Sequence, residues 1–177
     1  QITVTLTPET PVEFTLSLRV PGWAKGFAVS VNGETLAASP EKGYLRIRRQ
    51  WSAGDTVKLD LAMQAEMLYA NPKVAPDQGR TAILRGPLVY CVEETDNDAP
   101  LNAYVVKDGA SIRVADIDDL PETVGLAIEA IAESQPDDAL YVTTPPRRAP
   151  VTLKAIPYYL WDNRAPGEML VWLRREA

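Results

Sequence analysis

The sequence predicts an all-β protein built on antiparallel sandwich architecture, and three observations carry that prediction. Apolar and polar residues alternate with period two through the first third of the chain, the mark of strands with one face buried. The alternating runs are short and evenly spaced, with turn residues between them. Proline is abundant, at 15 of 177 residues, which is about 8% against a usual level of about 5%.

The elements follow in chain order. Ile2, Val4 and Leu6 face one way, with Thr3, Thr5 and Thr7 opposite. Phe14, Leu16, Leu18 and Val20 alternate with Thr15, Ser17 and Arg19. Phe27, Val29 and Val31 run into Asn32-Gly33, the strongest short hairpin signal, because a type I′ turn needs positive φ at both central residues. Leu45 and Ile47 alternate with Tyr44, Arg46 and Arg48. After the tight turn Ser52-Ala53-Gly54-Asp55, Val57, Leu59, Leu61 and Met63 alternate with Lys58, Asp60 and Ala62. Residues 70–80 carry two prolines and a glycine and break the pattern. They set the expected boundary, with one domain over 1–70 and a second over 71–177.

Beyond the boundary, Thr81 to Val92 is apolar on both faces and interrupted at Arg85-Gly86-Pro87. That predicts two buried strands joined by a bend or bulge. Tyr104-Val105-Val106 and Ile112-Arg113-Val114 add two more. In 124–134, Val124, Leu126 and Ile128 fit a strand, although the Ala and Glu content also suits a helix; the strand is the reading adopted. Val151 to Trp161 and Met169 to Leu173 are the last two strands.

Composition narrows the chemistry. The chain has no histidine, one cysteine and a formal net charge of −6. Without histidine there is no Ser-His-Asp triad, no Cys-His dyad and no His-ligated metal. One cysteine allows no intrachain disulfide and no Cys-rich zinc site. A sequence pI of about 4.8 argues against nucleic acid, whose binders carry basic stripes. No apolar stretch reaches the roughly 20 residues that a membrane helix needs. Apolar residues make up 46%, enough for a real core. The chain starts at Gln1 rather than Met, so a piece of a longer protein is expected. The lack of a leader and the single Cys favour a cytoplasmic setting.

Few residues suggest chemistry. There is no phosphate-binding loop, dinucleotide glycine fingerprint or G-x-S-x-G elbow. Cys91 sits inside Leu88-Val89-Tyr90-Cys91-Val92 beside Glu93 and Glu94, which reads as a buried structural thiol. The acidic run Glu93 to Asp98 lacks the glycine and closing glutamate of a calcium loop and reads as solvated. Arg147-Arg148 and Arg174-Arg175 read as surface features. Carboxylate pairs at glycosidase spacing are uninformative among 24 acidic residues. Of the four tryptophans, Trp23, Trp51 and Trp172 read as packing residues. Trp161 stands beside Asp162, Asn163 and Arg164 at a strand end. Trp161, Asn163 and Arg164 are the candidate carbohydrate contacts, although the same cluster also reads as a turn.

Four segments, taken in order, carry a family likeness. They are Leu18-Arg19-Val20-Pro21-Gly22-Trp23-Ala24 with Val29-Ser30-Val31-Asn32-Gly33; Gly43-Tyr44-Leu45-Arg46-Ile47-Arg48-Arg49-Gln50-Trp51 with Gly54-Asp55; Arg85-Gly86-Pro87-Leu88-Val89-Tyr90-Cys91-Val92-Glu93 with Asp96; and Ile156-Pro157-Tyr158-Tyr159-Leu160-Trp161-Asp162-Asn163-Arg164, ending in Met169-Leu170-Val171-Trp172-Leu173. At this spacing the chain resembles the C-terminal half of glycoside hydrolase family 127, the β-L-arabinofuranosidase family once called a domain of unknown function. The resemblance implies an N-terminal (α/α)6 barrel that holds the active site, followed by two β-sandwich domains of jelly-roll or immunoglobulin-like type in tandem. Residues 1–177 would then be a truncated middle sandwich and a complete C-terminal one.

The family's cysteine nucleophile and the zinc bound to it through Cys and Glu ligands lie in the barrel, and no position here matches them. The resemblance therefore implies no catalytic residue, metal or cofactor within this chain. Its implied partner is the barrel of the same polypeptide. Self-association into a homodimer is a further expectation from the exposed edge of a truncated sandwich, and charge and hydropathy argue against nucleic acid and membrane. Two other readings stand beside it: a carbohydrate-binding module, or an interaction domain that uses an exposed strand edge.

Overall fold

The computed structural model describes residues 1–98, 100–136 and 139–176. The chain is all-β, with no α-helix among the described residues, and it divides into two compact units, Gln1–Gln64 and Ala65–Ala177.

The first unit contains β1 (Ile2–Thr5), β2 (Val12–Arg19), β3 (Phe27–Val31), β4 (Glu34–Thr35), β5 (Tyr44–Trp51) and β6 (Thr56–Leu61). They form a four-stranded sheet in the order β1-β6-β3-β4 and a two-stranded sheet of β2 and β5. Register follows the period-two pattern. Val29 pairs with Leu59 and Val31 with Val57 in one sheet, and Leu16 pairs with Ile47 and Leu18 with Leu45 in the other. Both sheets supply the same core, in which Val29, Val31, Val57 and Leu59 meet Leu45, Ile47 and Trp51. Trp51 is fully buried. Its indole N–H donates to the Phe14 carbonyl at 3.1 Å, so the polar end of the ring has a partner.

The Asn32-Gly33 turn is left-handed at both positions, with φ 51° and 86°. The Asn32 side chain also ties this turn to the next one. It accepts from the Thr56 N–H and donates to the Asp55 carboxylate, both at 2.8 Å.

The second unit contains β7 (Ala65–Tyr69), β8 (Arg80–Arg85), β9 (Leu88–Glu93), β10 (Tyr104–Lys107), β11 (Ile112–Ala115), β12 (Gly125–Ser134), β13 (Arg147–Pro157), β14 (Met169–Leu170) and β15 (Leu173–Glu176). Its pairings close on themselves in the circuit β9-β13-β12-β10-β15-β8-β9, a six-stranded barrel. β10 and β15 run parallel. β7 adds to β8, β11 to β12 and β14 to β9. The core inside includes Ile83, Tyr90, Val92, Val106, Leu126, Ile128 and Leu153. On the opposite face of β9 and β13, Cys91 and Ile156 pack with Ile117. Ile117 also lies so close to Gly125 that a Cβ there would meet its side chain at 2.4 Å. Only glycine fits the start of β12.

Several expectations shift. The division falls at Gln64/Ala65, not 70/71, because residues 65–69 pair with β8. The ambiguous stretch 124–134 is a strand whose register partner is β13. β13 ends at Pro157, before Trp161. The expected strand Met169 to Leu173 is broken at 171–172, so Trp172 lies between β14 and β15.

Candidate functional site

The residues the sequence singled out lie where β13 leaves the barrel. Pro157 starts a 3-10 turn over Tyr158–Leu160. The chain then reverses through Asp162, which has φ 62°, a conformation that Asp tolerates better than most residues. The pairing of Cys91 with Ile156 and of Tyr90 with Pro157 sets the end of β9, and therefore Glu93, beside this loop.

Arg164 joins the two segments. Its guanidinium grips Asp96 through two nitrogens, at 2.9 and 2.5 Å, and reaches Glu93 at 2.5 Å. All three side chains are more than nine-tenths buried. The paired carboxylates hold the Arg164 guanidinium charged more firmly than usual, with Asp96 the larger influence. Glu93 also accepts the Asp162 N–H at 3.2 Å. The Thr95 hydroxyl donates to the Ala165 carbonyl at 3.2 Å, and the Glu94 carboxylate accepts the Glu168 N–H at 2.9 Å. Asn97 is buried, and its amide donates to the carbonyls of Glu93 and Lys154. The acidic run is thus only half solvated: Glu94, Thr95 and Asp98 are exposed. Glu93, Asp96 and Asn97 turn inward because Arg164 and nearby backbone groups satisfy them.

The clamped loop presents aromatics. Tyr158, Tyr159 and Trp161 are 44%, 65% and 42% exposed, and Tyr158 stacks on Trp161 at 5.9 Å with 22° between the planes. Of the three candidates, only Trp161 offers its ring to solvent. Asn163 spends its amide N–H groups on the carbonyls of Leu160 and Trp161, at 3.0 and 3.3 Å, and Arg164 lies in the buried cluster. The sequence reading missed Tyr158 and Tyr159, although the run of aromatics directly after Pro157 was a usable signal.

Burial, reinforced by the nearby Glu93 charge, pushes the Cys91 thiol up to about 12. A thiol kept protonated in this way is a poor nucleophile and a poor metal ligand at neutral pH. The described residues contain no group of three or more His, Cys, Asp or Glu side chains placed to hold a metal. A cleft of about 800 Å³ lies over β12 and β13, bordered by Lys107, Asp108, Glu129 and Arg148. Arg148 there is paired with Glu133 and Glu176, and Asp108 with Arg175. These charges serve one another.

Comparison with known proteins decides the family. The model described as "Glycoside hydrolase family 127 C-terminal domain" matches residues 65–174. That described as "Beta-L-arabinofuranosidase, GH127 middle domain" matches residues 1–63. The chain belongs to glycoside hydrolase family 127. A non-reducing end β-L-arabinofuranosidase of Bifidobacterium longum subsp. longum is 40% identical over 169 residues. The match takes in 89% of this chain and 25% of that protein, so the chain spans about a quarter of its relative's length. Among solved structures, the family 127 β-L-arabinofuranosidase from Geobacillus stearothermophilus T6 superposes with a TM-score of 0.87 at 40% identity, over 98% of this chain and 28% of that one. Another family 127 β-arabinofuranosidase gives 0.86 at 32% identity, over 98% and 29%.

Proposed function

We propose that residues 1–177 are a non-catalytic accessory part of a longer family 127 glycoside hydrolase that acts on β-L-arabinofuranosides. The coverage carries this reading: 89% of the chain accounts for 25% of a β-L-arabinofuranosidase. The donor set agrees with it, since a chain without histidine and with one buried thiol has little to offer a zinc-thiolate centre. In this reading the unit 1–64 is the middle domain, a sandwich of its two sheets, and 65–177 is the C-terminal domain. The nucleophile and its zinc belong to the rest of the enzyme, which these domains brace. Purified 1–177 should release no p-nitrophenol from p-nitrophenyl β-L-arabinofuranoside, whereas the full-length enzyme should. Release by the isolated chain would overturn the reading.

A second reading rests on the exposure of Trp161: the loop after β13 contacts carbohydrate. Asn163 and Arg164 enter that reading only as supports of the ring. Titration with arabino-oligosaccharides should then quench or shift tryptophan fluorescence, and the change should vanish in Trp161→Ala. A flat titration rules it out.

A further inference from the structure

We propose that Tyr158, Tyr159 and Trp161 form a docking face for the part of the full-length enzyme that lies outside residues 1–177. This rests on the reading of the chain as one part of a longer hydrolase, and it names the surface through which that part is held.

Three exposed aromatics fall within four residues of one loop. Tyr and Trp are the side chains that most often anchor protein interfaces, because each brings a large rigid area and one polar tip. The loop is also stiffened far beyond what a solvated turn needs. A buried cluster of one guanidinium and two carboxylates holds its far end. The Asn163 amide closes its inner turn, and the Asp162 N–H is tied to Glu93. Desolvating three charges costs stability. What the chain gains is a surface already in its binding geometry, which lowers the entropy lost on association.

The chemistry favours a protein surface over a sugar. A sugar site needs polar side chains aimed outward beside the stacking ring. Here the Arg164 guanidinium is buried on two carboxylates, and the Asn163 amide nitrogen is spent on backbone carbonyls of its own exposed turn. The fitting partner is an apolar concave protein face, with carbonyl groups placed to accept from the phenol hydroxyls and the indole N–H. The solved relatives that match 98% of this chain devote only 28–29% of their own length to it. A large remainder of the polypeptide is therefore available to cover the shelf.

The test is hydroxyl-radical footprinting, read by mass spectrometry, of the isolated chain 1–177 and of the full-length enzyme. Tyr159 and Trp161 should be modified readily in the isolated chain and several-fold more slowly in the full-length protein. The double variant Tyr159→Ala/Trp161→Ala should lower the melting temperature of 1–177 only by the loss of the Tyr158–Trp161 stack, and should lower that of the full-length enzyme clearly further. Equal modification in both proteins, or equal melting shifts in both, overturns the proposal. Protection that appears only on adding arabino-oligosaccharide also overturns it and makes the shelf a sugar site. Full-length enzyme that shows protection but releases no p-nitrophenol from the arabinofuranoside would refute the proposed activity and leave the docking face standing.

Discussion

Arg164 holds the loop after β13 through Asp96 and Glu93, 68 and 71 positions earlier in the chain. The cluster sets two carboxylates against one guanidinium, with the Asp162 N–H as a further donor to Glu93, so its charge balance rests on Arg164. Arg164→Met should cost about 3–5 kcal/mol, because two carboxylates would be left buried without a counter-charge. Arg164→Lys should recover only part of that loss, since an ammonium cannot grip Asp96 with a planar fork. Urea denaturation measures both, and a loss below about 1 kcal/mol for the Met variant, typical of an exposed pair, would contradict the buried-cluster account. Cys91 gives a second residue-scale expectation. Its thiol is raised from 9.0 to about 12 in the fold, so the folded state favours the protonated form. That preference stabilises the chain fully below pH 9 and is lost as pH rises through 12. At pH 8 a thiol reagent such as DTNB should label none of the native protein and one equivalent of the urea-unfolded chain.

At the scale of elements, two turns of the first unit act as one device. Asp55 accepts the Ser52 N–H at 2.8 Å and the Asn32 amide at 2.8 Å. The Ser52 N–H first, then Asn32, hold its carboxyl below the usual value of 3.8. A depressed carboxylate stabilises the fold above the unfolded value, and the gain is lost as pH falls through the folded one. Acid titration of the melting temperature should therefore steepen below about pH 4 in the native chain and flatten in Asp55→Asn. Identical curves would show that the turn does not depend on the charge. The hairpin itself was legible in Asn32-Gly33, and so were β3, β5 and β6, because each buries one face and alternates cleanly; β2 was legible by alternation alone, since its apolar face is only partly covered. β12 was harder to read. Ala127, Ala130 and Ala132 suit a helix by propensity, but pairing with β13 and burial on both faces override that preference. Trp161 was legible as an aromatic beside polar residues. The inward turn of Arg164 was not, because its carboxylate partners arrive through the pairing of β9 with β13, which no local pattern records.

The whole molecule turns on where one unit ends. The prolines and glycine of 70–80 look like a linker because they break the strand pattern, yet the residues just before them belong to the second unit. β7 pairs with β8 from Ala65↔Arg85 to Tyr69↔Thr81. The Thr81 hydroxyl donates to the Leu68 carbonyl at 3.1 Å, and the Arg175 guanidinium lies 5.1 Å from the centre of the Tyr69 ring. Ala65 and Met67 also pack on the main core. A chain of residues 71–177 would lose those contacts and leave the outer edge of β8 unpaired, an invitation to edge-to-edge association. Residues 65–177 should fold as a more stable unit than 71–177, by about 2 kcal/mol, the low end of the cost of deleting a large core side chain, because Met67 is only partly buried against the core. The shorter chain should also scatter as dimers or larger species at concentrations where the longer one is monomeric. Calorimetry with light scattering on the two chains decides it. If 71–177 melts with 65–177 and stays monodisperse, β7 is an ornament on the barrel and the boundary belongs after Tyr69.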